Sequence, residues 1–108
     1  MVIRNVAAQA VFSGEKMGKV SLVQGDHLYA GLNCFEPGQE HKAHVHADQD
    51  KMYLVLAGSG EITIGEERHE VSLGDLALAP AGVVHAIRNP GPERLVVLIT
   101  FAPPPTHR

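Results

Sequence analysis

Histidine is the chemistry-bearing feature of this chain, with seven in 108 residues. His41, His44 and His46 fall in one short stretch. Along an extended strand, side chains alternate between faces, so His44 and His46 point the same way with Cα atoms ~6.5–7 Å apart. Two neutral imidazoles at that separation suit one metal ion, which wants a further donor from elsewhere in the fold. His85 is the candidate. It follows the Pro80-Ala81-Gly82 turn, which would set it on a neighbouring strand facing the same interior. An i, i+2 histidine pair also describes an ordinary exposed polar face, and the pair alone does not decide between the two. His41 has the opposite parity to His44 and is expected at the surface or rim. Lys51 and Tyr53 share a parity, so an inward Lys51 would bring the Tyr53 phenol into the same space.

The elements that must position these residues are short. Eleven glycines and seven prolines are spread along the chain, and they punctuate runs rich in Val, Ile, Leu and Thr. The runs at 19–23, 28–35, 52–56, 61–64, 70–73, 75–79 and 94–101 read as strands. Evenly spaced short strands are the signature of an all-β sandwich or barrel. A weak helical candidate lies near 5–10. Residues 95–101 are continuously apolar, which implies cover on both faces. The barrel interior supplies one cover. A second layer or a second subunit supplies the other, so a homodimer is expected. The Pro103-Pro104-Pro105 tail cannot enter a sheet as a central strand and should run extended over the surface. The organisation expected is a single domain over 1–108, with a barrel core at about 19–102, an N-terminal arm at 1–18 and a Pro-rich tail at 103–108.

Composition narrows the function classes. The chain is 44% apolar and 19% charged, which is globular rather than disordered. Its formal net charge of −3 and the lack of a Lys/Arg stripe argue against a nucleic-acid partner. The longest apolar runs, 52–57 and 95–100, are too short to span a membrane. Cys34 is the single cysteine, so no intramolecular disulfide can form, and a buried small residue is its expected role. With no leader-like N-terminus, a cytoplasmic protein is expected. Gly58-Ser59-Gly60 mimics the start of a dinucleotide fingerprint, but position 63 is Thr and no helix follows. His69 should be solvated, and His27 and His107 should belong to a turn and the tail.

The segment from Gly38 through His44 and His46 to Gly58 resembles the first motif of the cupins, G-x5-H-x-H-x3,4-E-x6-G. The segment Gly74, Pro80, Gly82, His85, Asn89 matches the second, G-x5-P-x-G-x2-H-x3-N, at every fixed position. Together they cover about half the chain. The resemblance implies the double-stranded β-helix, or jelly-roll barrel, of a small single-domain cupin. It also implies one divalent transition metal on His44, His46 and His85. Gly38, Gly58 and Gly74 then sit where strands turn and a positive φ is needed.

The chain departs from the motif at its acid. Lys51 stands seven residues before Gly58, where the family has its glutamate ligand, and Asp50 stands beside it. A protonated lysine cannot ligate a metal. Lys51 therefore turns away and leaves a three-histidine site, or Asp50 is drawn inward by a bulge as an additional ligand, or Lys51 occupies the pocket in place of the metal. The first is favoured. Such a site is similar to that of three-histidine iron dioxygenases, which puts Fe first, with Zn, Ni, Mn and Cu compatible. A barrel lined by Tyr53, Val55, Val83 and Ile87 would be mostly apolar and would take a small organic substrate. The function expected is a metal-dependent dioxygenase or isomerase. The alternatives are a non-catalytic small-molecule or metal sensor, and a metal-free cupin of the sugar-epimerase kind, with Lys51 holding an anionic substrate and a histidine as base.

Overall fold

The computed structural model describes residues 1–105; His107 lies outside the described residues. After a short 3-10 turn, Val6–Gln9, come nine strands: β1 Gly18–Gln24, β2 Tyr29–Phe35, β3 Glu40–His44, β4 Asp50–Ala57, β5 Ser59–Ile64, β6 Glu67–Ser72, β7 Leu76–Ala79, β8 His85–Arg88 and β9 Leu95–Ala102. They form a five-stranded sheet in the order β1-β2-β9-β4-β7 and a four-stranded sheet in the order β3-β8-β5-β6. All pairings are antiparallel. The all-β class expected from the turn spacing, and the jelly roll that the motif resemblance implies, are the observed architecture. Among the described residues no helix is long and apolar enough to cross a membrane.

Strand periodicity sorts the residues between the two faces. On β4, Lys51, Tyr53 and Val55 are buried, while Met52 is exposed and Leu54 half-buried. Phe35, Tyr53, Val55, Ile62, Ile87, Leu95, Val97 and Ile99 form the core between the sheets. Leu32, Cys34 and Val96 are buried on the opposite face, with Val6, Ala10 and Phe12 packed against them. The second cover that the apolar run of β9 demands is thus in part the chain's own N-terminal arm. Further along that sheet, Met52, Leu76 and Leu78 stay exposed. Cys34 is a fully buried residue of this outer apolar layer, as expected.

Two turns bear directly on the site. Gly58 has φ +76°, and a Cβ there would collide with the carbonyl of Arg94, so only glycine serves between β4 and β5. Asn89, which ends the second motif, is buried and holds the β8–β9 connection. Its Nδ2 donates to the carbonyls of Phe35 (3.1 Å) and Glu93 (2.8 Å), and its Oδ1 accepts from the Gly91 N–H (2.9 Å). Asn89→Ala removes all three bonds and orphans buried backbone groups. The expected loss is about 2–4 kcal/mol, read as a lower urea midpoint at unchanged m-value.

Candidate metal centre

β3, the loop after it and β8 bring three histidines together. β3 pairs with β8 so that His44 lies opposite His85. His46 lies just past the end of β3, yet its ring turns back to the same centre. Ring centroids are 4.2 Å apart for His44 and His85, 5.0 Å for His44 and His46, and 5.4 Å for His46 and His85. One nitrogen from each of the three lies within 4.8 Å of the others, a spread that a single ion can bridge.

The hydrogen bonds fix the tautomers of two of these rings. His44 Nδ1 lies 2.7 Å from the carbonyl of Lys42, and His85 Nδ1 lies 3.0 Å from the carbonyl of Val83. A carbonyl only accepts, so each Nδ1 carries the proton and each Nε2 carries a lone pair. Both Nε2 atoms are buried and have no hydrogen-bond partner among the described residues. A buried acceptor without a partner is costly, and a divalent cation at the common centre would satisfy both. Holding the distal N–H on a backbone carbonyl is how a ligating imidazole is usually oriented. Burial, countered in part by the Val83 carbonyl, pushes His85 down to about 4. Burial likewise lowers His44 and His46 from the ordinary histidine range. All three are neutral donors at neutral pH, and the donor set suits a divalent transition metal.

His41 lies on the cavity rim outside the convergent set, as expected, but the parity assigned to it fails. The ladder slips by one residue between His41 and His44, and that bulge cancels the parity difference. His41 therefore faces the cluster, its ring centroid 4.1 Å from that of His44. Its Nδ1 is buried without a partner. Burial, then the positive field of Lys51, drives its pKa down to about 3.

Lys51 and Asp50 settle the position where the motif has its acid. Lys51 does not turn away: it is 1% exposed and points inward. Its Nζ sits 4.8 Å from the Tyr53 ring centroid and 5.0 Å from that of Phe101, a cation–π arrangement. Burial, with the charge of Lys19, lowers its pKa to about 7. Asp50 is not drawn inward. It is exposed, and its Oδ1 accepts the Ala81 N–H at 2.8 Å, which braces the turn that leads to His85. The inward Tyr53 hydroxyl is buried without a partner, and its ring lies 6.2 Å from that of His85.

A cavity of about 910 Å³ opens above this cluster, walled by His41, His44, His46, Lys51 and Phe101, with the Pro103 to Pro105 segment at its mouth. The proline tail stays outside the sheets, as expected, and lines the cavity, held by a bond from Gln49 Nε2 to the Pro103 carbonyl (3.1 Å). The lining is mostly apolar as expected, but the residues that supply it are others. Tyr53, Val55 and Ile87 belong to the packed core and Val83 to a half-buried turn. The cavity wall sets the imidazoles and the two amines among Leu32, Val45, Ile99, Phe101 and the prolines, so it is mostly apolar.

Comparison with known proteins agrees with this architecture. The family model for the cupin domain matches residues 31–101. An uncharacterized protein of Streptomyces coelicolor is 36% identical over 78 residues, 72% of each chain. The crystal structure of TT1209 from Thermus thermophilus is 35% identical with a TM-score of 0.93, over 97% of this chain and 100% of that one. An RmlC-like cupin protein from Desulfovibrio desulfuricans has a TM-score of 0.85 at 24% identity, over 97% and 99% of the two chains, a likeness of fold alone.

Proposed function

Because this chain belongs to the cupin-domain family, whose fold hosts many activities, we propose that it is a metal-dependent enzyme for a small organic molecule, with the metal held by His44, His46 and His85. The observation that carries this reading is the pair of buried, unpartnered Nε2 lone pairs on His44 and His85, each made a lone pair by a backbone carbonyl on the other side of its ring. Bound there, such an ion supplies a Lewis acid with open positions or, if it is iron, reactivity toward oxygen. That chemistry spans dioxygenase-like and isomerase-like reactions. The chain's own residues do the rest. The cavity beside the histidines has room for a small molecule. Tyr53, in the packed core beneath Lys51, has a phenol whose pKa burial raises, so it stays protonated and adds no charge to the site. The packed core beneath excludes water from below.

The reading is tested on protein purified without an affinity tag. Metal analysis should find about one divalent ion per chain. Anaerobic loading with Fe(II), then oxygen uptake across a panel of small organic molecules, should reveal turnover of at least one. Manganese- or nickel-loaded protein that interconverts isomers instead would select the isomerase branch. Metal that binds without any turnover favours a non-catalytic binding protein. Failure to retain any ion after loading sinks the proposal. It would leave the metal-free alternative, which the inward Lys51, unpaired among the described residues, supports: a lysine that holds an anionic substrate beside a histidine base.

A further inference from the structure

The geometry points to Lys51 as a second anchor beside the metal, so that the site's ligand is a small organic anion bridging the open metal positions and the Lys51 ammonium. This rests on the three-histidine reading above and names the substrate class of that same site.

Three observations carry it. First, Lys51 makes no ion pair and no hydrogen bond to any described residue, although it is 1% exposed. The faces of Tyr53 and Phe101 meet its charge but give its N–H groups no oxygen acceptor. Second, the amine lies on the cavity wall with the histidines. The Phe101 ring that flanks it also packs edge-on to His46, at 5.0 Å. One wall thus joins the amine to the metal cluster. Third, the charge of the site is uncompensated. Its histidines are neutral donors, Lys19 and Lys51 are its two amines, and the one carboxylate on the described cavity wall is the exposed Asp48. Asp50, the acid nearest the motif position, is committed to the Ala81 N–H.

A divalent ion placed here would carry its whole charge with no carboxylate ligand, facing a buried amine of the same sign. An anion lying between the two offsets that repulsion and holds the proton on the amine. A carboxylate or similar oxyanion can meet the metal with one group and the three ammonium donors with another. A neutral ligand can do neither as well. Metal and anion then each tighten the binding of the other.

The test uses the full chain loaded with Co(II), whose visible spectrum shows that the ion stays bound, and malonate as the probe, with neutral malonamide as the comparison. Calorimetric titration should show malonate binding, weakened roughly tenfold or more by Lys51→Met, with the cobalt content unchanged and malonamide indifferent to the substitution. Lys51→Gln, which keeps a polar group without the charge, should behave as Lys51→Met does. Equal malonate affinity in parent and Lys51→Met, with cobalt in place, overturns the inference. So does a parent that holds cobalt and ignores malonate. If the parent does not hold cobalt, the metal reading has failed separately. Malonate titration of the metal-free parent and Lys51→Met then decides the anchor: loss on substitution supports it, and equal or absent binding overturns it.

Discussion

His85→Ala is expected to reduce the divalent metal retained by the chain from about one ion to nearly none, and His44→Ala to do the same. Loss of a group that merely orients a ligand costs about 10–100-fold in metal affinity. Removal of one of three ligands, with no carboxylate to replace it, should cost more than ~100-fold. His46→Ala should follow, with a smaller loss, because His46 sits on a loop beyond β3 where a water can take its place. His41→Ala is the control. Its ring touches that of His44, but it contributes no nitrogen to the convergent set, so metal content should hold. Equilibrium dialysis against Zn(II) gives the affinities. Urea unfolding gives a second readout, because an ion that binds only the folded chain adds about 2.7 kcal/mol at a hundred times its Kd. The parent and His41→Ala should gain that increment and His85→Ala should not. Full retention of zinc by His85→Ala would show that the three rings are not the ligands.

The sequence was most legible where the ladder is regular. The Gly74, Pro80, Gly82, His85, Asn89 spacing places His85 on β8 facing inward. The turn glycines Gly38, Gly58 and Gly74 do have positive φ, between 76° and 91°. Parity on β4 correctly ties Tyr53 to Lys51. Legibility fails where one residue breaks the period. The slip between His41 and His44 inverts the parity argument for His41, and no glycine or proline marks it. Strand β6 begins with the charged, exposed run from Glu67 to Glu70, so alternation gave no sign of its first half. The pairing edge of β5 supplies the strand instead. The cover for β9 comes from Val6, Ala10 and Phe12, some ninety positions earlier in the chain, a contact that local patterning cannot encode. Which way the Lys51–Asp50 pair would turn depended on a competition between one buried amine and one N–H at Ala81. Only the assembled fold resolves it.

That buried amine makes the stability of the metal-free chain depend on pH. Lys51 titrates at 10.5 when unfolded and at about 7 when folded, chiefly through burial. Between those values the unfolded chain binds the extra proton, so stability rises as pH increases from 7 toward 10.5 and the full cost is present below 7. At about 1.4 kcal/mol per pH unit, the cost is capped at roughly 5 kcal/mol. Other groups bend the same curve. His41 and His85, lowered to about 3 and about 4, stay neutral in the fold while the unfolded chain protonates, so stability falls as pH drops below 6.5. Burial raises Cys34 and Tyr53, so the unfolded chain releases their protons first and stability falls again above about 9. Comparison with Lys51→Met isolates the lysine from neutral pH upward, where the histidines whose pKa values its charge depresses are already neutral in the fold and the Cys34 and Tyr53 titrations, which it does not perturb, are common to both proteins. Lys51→Met should be more stable than the parent by a few kcal/mol at pH 6–7, and the difference should shrink steadily and nearly vanish by pH 10. Urea unfolding in a chelator at each pH gives the curve. A difference that stays flat across that range would place the amine in water, and the cavity would then have to be drawn without it.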